Sequence, residues 1–159
     1  MKSNAADVKM IVLSQYESVL QRISTVLQDA DPQTFRNNIA IVKGNVHCRS
    51  KQLDRFRSSG EGSARILLLS LVNTASGSHL AVATHVLLLD PIIDSANKGR
   101  AVDAQAIARA HRLGQTELVT VIRFIVENTI DQEDYQKTNG TLTFRQPNKS
   151  ARSVFSELA

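Results

Sequence analysis

The chain is poorest in the residues that build crosslinked, metal-bound or membrane-embedded proteins. A single cysteine, Cys48, among 159 residues excludes an internal disulfide and fits a reducing compartment. It adjoins His47, but two neighbouring donors without a second pair do not make a zinc site. No stretch reaches the roughly 18 consecutive apolar residues of a membrane span, and the opening MKSNAADVK lacks the apolar core of a signal peptide. No G-x-G-x-x-G follows a strand-like run, which disfavours a dinucleotide-binding enzyme. The expectation is an intracellular protein with no resident metal and no membrane.

What is present is globular in character, with 42% hydrophobic and 21% charged residues. A chain of this length is one domain's worth, able to bury roughly two-thirds of its unfolded surface. The formal charge of +4 is uneven: residues 136–159 hold Lys137, Arg145, Lys149 and Arg152 against Glu157, leaving the tail at +3 and the rest at +1. A solvated basic tail accounts for this more readily than a polyanionic partner does.

Hydrophobic periodicity alternates along the chain. VKMIVLS (Val8 to Ser14) has strand length, and Tyr16, Val19, Leu20, Ile23 and Leu27 follow at helical spacing. QDADPQTFRNN reads as a loop before a strand at 39–42, and a helix is predicted over about 50–58. RILLLSL (Arg65 to Leu71) and HVLLLD (His85 to Asp90) are apolar without alternation, the pattern of strands covered on both faces. A helix over about 102–113, a strand LVTVIRFIV (Leu118 to Val126) and a helix opening near Thr129 complete the series. Together these predict an open, doubly wound α/β fold with a mostly parallel sheet and helices on both faces. Residues 1–7 read as an extension, 8–135 as the folded domain and 136–159 as a loosely ordered basic tail. Sheets of this kind bind ligands at the carboxyl ends of their strands, here Ser14-Gln15, Gly44-Asn45, Ser70 onward and Asp90-Pro91. Asp90 reads as a residue that places a loop or caps a strand.

QAIARAHRLGQ (Gln105 to Gln115) sets Arg109 and Arg112 three residues apart on the expected helix, a repulsion of a few tenths of a kcal/mol unless an anion lies against them. Gln105, Arg109 and Arg112 share one stripe; Ala106, Ala110 and Leu113 form an apolar stripe about 100° away.

This block resembles motif VI of the Snf/Swi-type ATPases of helicase superfamily two, the chromatin-remodelling and DNA-repair translocases. KMIVLSQYESVL (Lys9 to Leu20) resembles motif IV, GNVHCRSKQLDRF (Gly44 to Phe56) the block after it, and ILLLSLVNTASGSHLAVATHVLLLDP (Ile66 to Pro91) motif V and its following strand. GQTELVTVIRFIVENTID (Gly114 to Asp131) resembles the segment closing the second lobe. Five blocks in the family's order cover about residues 8–135.

The resemblance implies a RecA-like second lobe facing a first lobe across bound ATP and Mg2+. Arg109 and Arg112 would then be arginine fingers that stabilise charge on the transferring phosphoryl group. Gln105 would order their helix, with Gly77 and Ser76 beside the nucleotide. Ser14, Gln15, Ser70 and Arg49 would meet the backbone of double-stranded DNA without reading sequence. Lys51, Arg55 and Arg57, with Arg49, either add a positive field or form the wet face of a helix. His111 reads as a structural hydrogen-bonding residue. A nuclear location follows from the same resemblance, as do nucleosomes and ubiquitin machinery as further partners.

Three features depart from the family pattern. Thr74-Ala75 replace a glycine pair, Ile92-Ile93 replace a tryptophan pair, and SANKGRAVDA lengthens the link to motif VI. The isoleucines and Thr84-His85 resemble the SHPRH-type branch, which joins a RING ubiquitin ligase to the ATPase. No G-x-x-x-x-G-K-[ST] and no acidic DExH-type box occur, so the phosphate loop and magnesium carboxylates must come from elsewhere. Two readings remain: the C-terminal lobe of an ATP-driven DNA translocase, or an orphan lobe that binds DNA or protein without turnover.

Overall fold

The computed structural model describes residues 8–71, 80–90, 104, 107–108, 110, 115 and 118–139. These carry a five-stranded, wholly parallel sheet in the order β2-β3-β1-β4-β5. In chain order the elements are β1 (Met10–Ser14), α1 (Glu17–Ala30), α2 (Pro32–Phe35), β2 (Ile39–Ile41), α3 (Val46–Arg57), β3 (Ile66–Ser70), β4 (His85–Leu88), β5 (Thr120–Arg123) and α4 (Ile130–Asn139).

Every residue of β1 and β3 is buried, because alternate side chains enter two different layers and neither face meets water. In one layer Ile11, Leu13, Leu67 and Leu69 pack with Phe56 of α3 and Ala110. In the other, Met10, Val12, Ile66 and Leu68 pack with Leu20 of α1 and Phe35 of α2. Ala104, Ile107, Ala108 and Ala110 are helical; Ala110 is fully buried, whereas Ala104 and Ala108 are exposed. Of the expected apolar stripe, Ala110 therefore packs on the sheet, and Ala106 and Leu113 lie outside the described residues.

Several boundaries differ from the sequence expectation. The stretch read as a loop contains α2, started by Asp31, whose Oδ1 accepts the Thr34 N–H at 3.1 Å, and by Pro32 in the first turn. The helix expected from residue 50 begins at Val46, because the Asn45 side chain accepts the Cys48 N–H at 2.9 Å and supplies the cap. β5 spans four residues rather than nine, matching the four residues of its partner β4. Helix α4 runs through Asn139, crossing the boundary drawn at residue 135.

The amino edge of the sheet is internally satisfied. Lys9 Nζ donates to the carbonyls of Phe56 and Ser58 and lies 5.4 Å from the Phe56 ring centroid, so it closes the C-terminus of α3 against the start of β1. Thr84 Oγ1 accepts the Lys9 N–H at 3.3 Å. Asn38 O accepts from both Arg65 N and Ile66 N at 2.9 Å.

Candidate functional site at the carboxyl edge of the sheet

The connection leaving β1 runs to α1 on one layer, while those leaving β2 and β4 run to α3 and to Ala110 on the other. The carboxyl end of β1, between β3 and β4, is therefore where the winding direction reverses, the position at which open α/β sheets hold ligands.

Ser14 and Ser70 are register partners there, at 0% and 1% exposure. Ser14 Oγ accepts the Tyr16 N–H at 3.0 Å and its carbonyl accepts the Leu71 N–H at 2.9 Å, so the β1–α1 turn is held by the strand it leaves. The Gln15 N–H donates to Asp90 Oδ2 at 2.8 Å across 75 residues. Ser70 Oγ and Asp90 Oδ1 are buried with no hydrogen-bond partner among the described residues. Such orphaned oxygens cost free energy in an isolated fold. The structure thus brings Ser14, Gln15 and Ser70 together, and adds Asp90.

Arg49 stands apart, half-exposed in the opening turns of α3 at the same edge. Gly44 makes the preceding turn with φ +84°, a left-handed backbone that a side chain adopts only under strain. Between β2 and α3 lies an open groove of about 510 Å³, lined by Lys43, Gly44, Cys48, Gln52 and Arg55 together with β2 isoleucines. The basic cluster expected over 49–57 divides in two. Arg55 donates to Asn37 O at 2.6 Å and to Gln52 Oε1 at 3.1 Å, and Arg57 pairs with Asp54 at 3.2 Å. Both lie in the last turn of α3, toward the amino edge and roughly 14–17 Å of helix rise from its start.

Arg109, Arg112, Gln105, His111, Gly77 and Ser76 lie outside the described residues. The end of their block is anchored: Gln115 Nε2 donates to Ala83 O at 2.7 Å, fixing the segment's exit beside the turn that enters β4. Among the described residues no three His, Cys, Asp or Glu side chains converge on a metal position, and no helix is long and apolar enough to cross a membrane.

No family model matches the sequence. A DNA repair protein RAD5 from Yarrowia lipolytica is 35% identical over 133 residues, 84% of this chain and 12% of its own length. The human E3 ubiquitin-protein ligase SHPRH is 34% identical over 125 residues, 78% of this chain and 7% of its length. The chain thus spans about an eighth or less of these relatives. The crystal structure of the C-terminal part of the Fun30 ATPase domain superposes with a TM-score of 0.68 at 25% identity, over 94% of this chain and 46% of that one. Sequence relatives and structural neighbour meet on the same segment, and the chain belongs to the Snf2-type helicase-like family as a C-terminal RecA-like lobe.

Proposed function

We propose that this lobe is the second half of an ATP-dependent translocase on double-stranded DNA, of the kind that serves DNA repair and chromatin in the nucleus. The observation that supports the reading is the polar switch point: buried Ser14 and Ser70, with the Gln15 amide held by Asp90, converge at the carboxyl end of β1 and shape the turn that a phosphate backbone would meet there. Arg49, in the opening turns of α3, adds a cation on the same edge.

ATP and Mg2+ do not fit the chain by itself. The sequence has no phosphate loop, and the described carboxylates do not converge, so a first lobe supplies both. This lobe contributes Arg109 and Arg112, which neutralise charge developing on the γ-phosphoryl group. Gln105 orders their helix, and Gly77 with Ser76 approaches the nucleotide. The SHPRH relative motivates a further step, a parent protein joined to ubiquitin transfer and acting on nucleosomal DNA.

The test joins the chain to a first lobe from a RAD5-type relative and measures ATP hydrolysis with and without duplex DNA. DNA-stimulated turnover supports the translocase. Duplex binding with no turnover in any such pairing leaves the lobe as a DNA-binding module. Affinity independent of base sequence and falling steeply with salt is expected in both cases; a sequence-specific footprint overturns the backbone reading.

A further inference from the structure

We propose that Asp90 is the positioning residue of the phosphate-gripping edge, holding the β1–α1 turn in its binding conformation through the Gln15 amide. The inference rests on the reading of that edge as a DNA contact.

Gln15 is the first residue beyond β1, between the buried Ser14 and the exposed Tyr16. Ser14 holds the turn from one side, its Oγ accepting the Tyr16 N–H. On the other side the turn is held by a residue 75 positions away, Asp90 Oδ2, which accepts the Gln15 N–H at 2.8 Å. Asp90 stands two residues past β4 and precedes the link toward QAIARAHRLGQ. One carboxylate therefore joins the strand end that faces DNA to the strand end that leads toward the arginines.

A carboxylate in this place carries two penalties. The second oxygen, Oδ1, is buried without a partner among the described residues, so the carboxylate carries a desolvation cost that a smaller acceptor would avoid. A negative charge at a phosphate-binding edge also opposes DNA. Both penalties are tolerated where the acceptor geometry itself is needed, because a turn left free must be ordered on each binding event.

Charge and geometry thus predict opposite outcomes. Removing the carboxylate by Asp90→Ala tightens DNA binding if charge decides, and weakens it if the latch decides. The full chain is compared as wild type, Asp90→Ala and Asp90→Asn by amide hydrogen exchange and by titration with a 20-base-pair duplex. Asp90→Asn keeps an acceptor oxygen in place without the charge. The expected result is Gln15 exchange about tenfold faster in Asp90→Ala but near wild type in Asp90→Asn, with the Val12 and Leu13 amides protected in all three as the control for folding. Duplex affinity falls about fivefold in Asp90→Ala, the worth of one hydrogen bond, and equals or exceeds wild type in Asp90→Asn. A protected Gln15 amide in Asp90→Ala, or Asp90→Ala binding DNA as tightly as Asp90→Asn, overturns the proposal. Should Asp90→Ala fail to fold, an unprotected Gln15 in Asp90→Asn overturns it instead. If the wild-type chain binds no duplex, the exchange data still decide the latch, and only the DNA reading falls.

Discussion

The two edges of one parallel sheet use their polar residues in opposite ways. At the amino edge, Lys9 closes α3, Arg55 holds the Asn37 carbonyl, Arg57 pairs with Asp54, and Thr84 ties Lys9 to β4. Each of those groups has its partner within the fold. At the carboxyl edge, Ser70 Oγ and Asp90 Oδ1 are buried without one among the described residues. The difference separates polar groups that stabilise the lobe from polar groups that the described fold leaves unused, a distinction that net charge cannot make. It also yields a rule for perturbing the molecule: changes at the amino edge should cost stability, and changes on the carboxyl side should cost binding or turnover.

The largest effect is expected from the segment leaving the carboxyl side. Joined to a first lobe, Arg112→Ala should lower DNA-stimulated turnover by about 10³-fold or more, measured as kcat at saturating ATP, with the melting temperature preserved. Unchanged turnover removes Arg112 from the role of arginine finger. Next in size is a break at the amino side. Phe56, fully buried at the C-terminus of α3, should cost about 3–5 kcal/mol as Phe56→Ala in urea unfolding. Lys9→Met should cost about 1–3 kcal/mol, since two hydrogen bonds from a charged donor are lost, and duplex affinity should not change. A Lys9→Met chain that is stable but defective in DNA binding would blur the two edges.

How much of this was legible in sequence depended on how each part announces itself. MIVLS and ILLLS were readable because two-sided burial leaves an unbroken apolar run. The start of α3 was not, since VHCRS has no apolar period and its only marker is the capping Asn45. Likewise α2 hides in a polar stretch whose signal is the Asp31-Pro32 pair. Ser14, Gln15 and Ser70 were reachable as strand ends. Asp90 was reachable as a residue that places a loop, but its partner Gln15 was not, because a contact across 75 residues has no local pattern. Nor could spacing show that Arg55, six positions after Arg49, donates its guanidinium to the Asn37 carbonyl.

That last pair gives a sharper comparison. Arg49→Ala should weaken duplex binding and reduce the slope of log affinity against log salt by about 1, the loss of one phosphate contact. Arg55→Ala should leave the slope intact and cost about 1 kcal/mol of stability, because its guanidinium serves Asn37 and Gln52. Equal slopes for both variants would mean that the cluster acts as one diffuse field after all.

The smallest expected effect tests a half-buried acid of the amino edge. Asp31 follows α1 on the return to that edge and caps α2. Hydrogen bonding by the Thr34 side chain first, and by its backbone N–H next, holds the Asp31 carboxyl below its ordinary value. A carboxyl whose pKa is lower folded than unfolded stabilises the fold above its unfolded pKa and loses that contribution as pH falls through the folded one. Thermal unfolding between about pH 5 and pH 2 should therefore show part of the wild-type acid destabilisation missing in Asp31→Asn, which caps without titrating. At pH 7 the two proteins should differ little, and duplex affinity there should be the same. Parallel pH curves would assign the acid sensitivity to other carboxylates and leave the cap of α2 indifferent to charge.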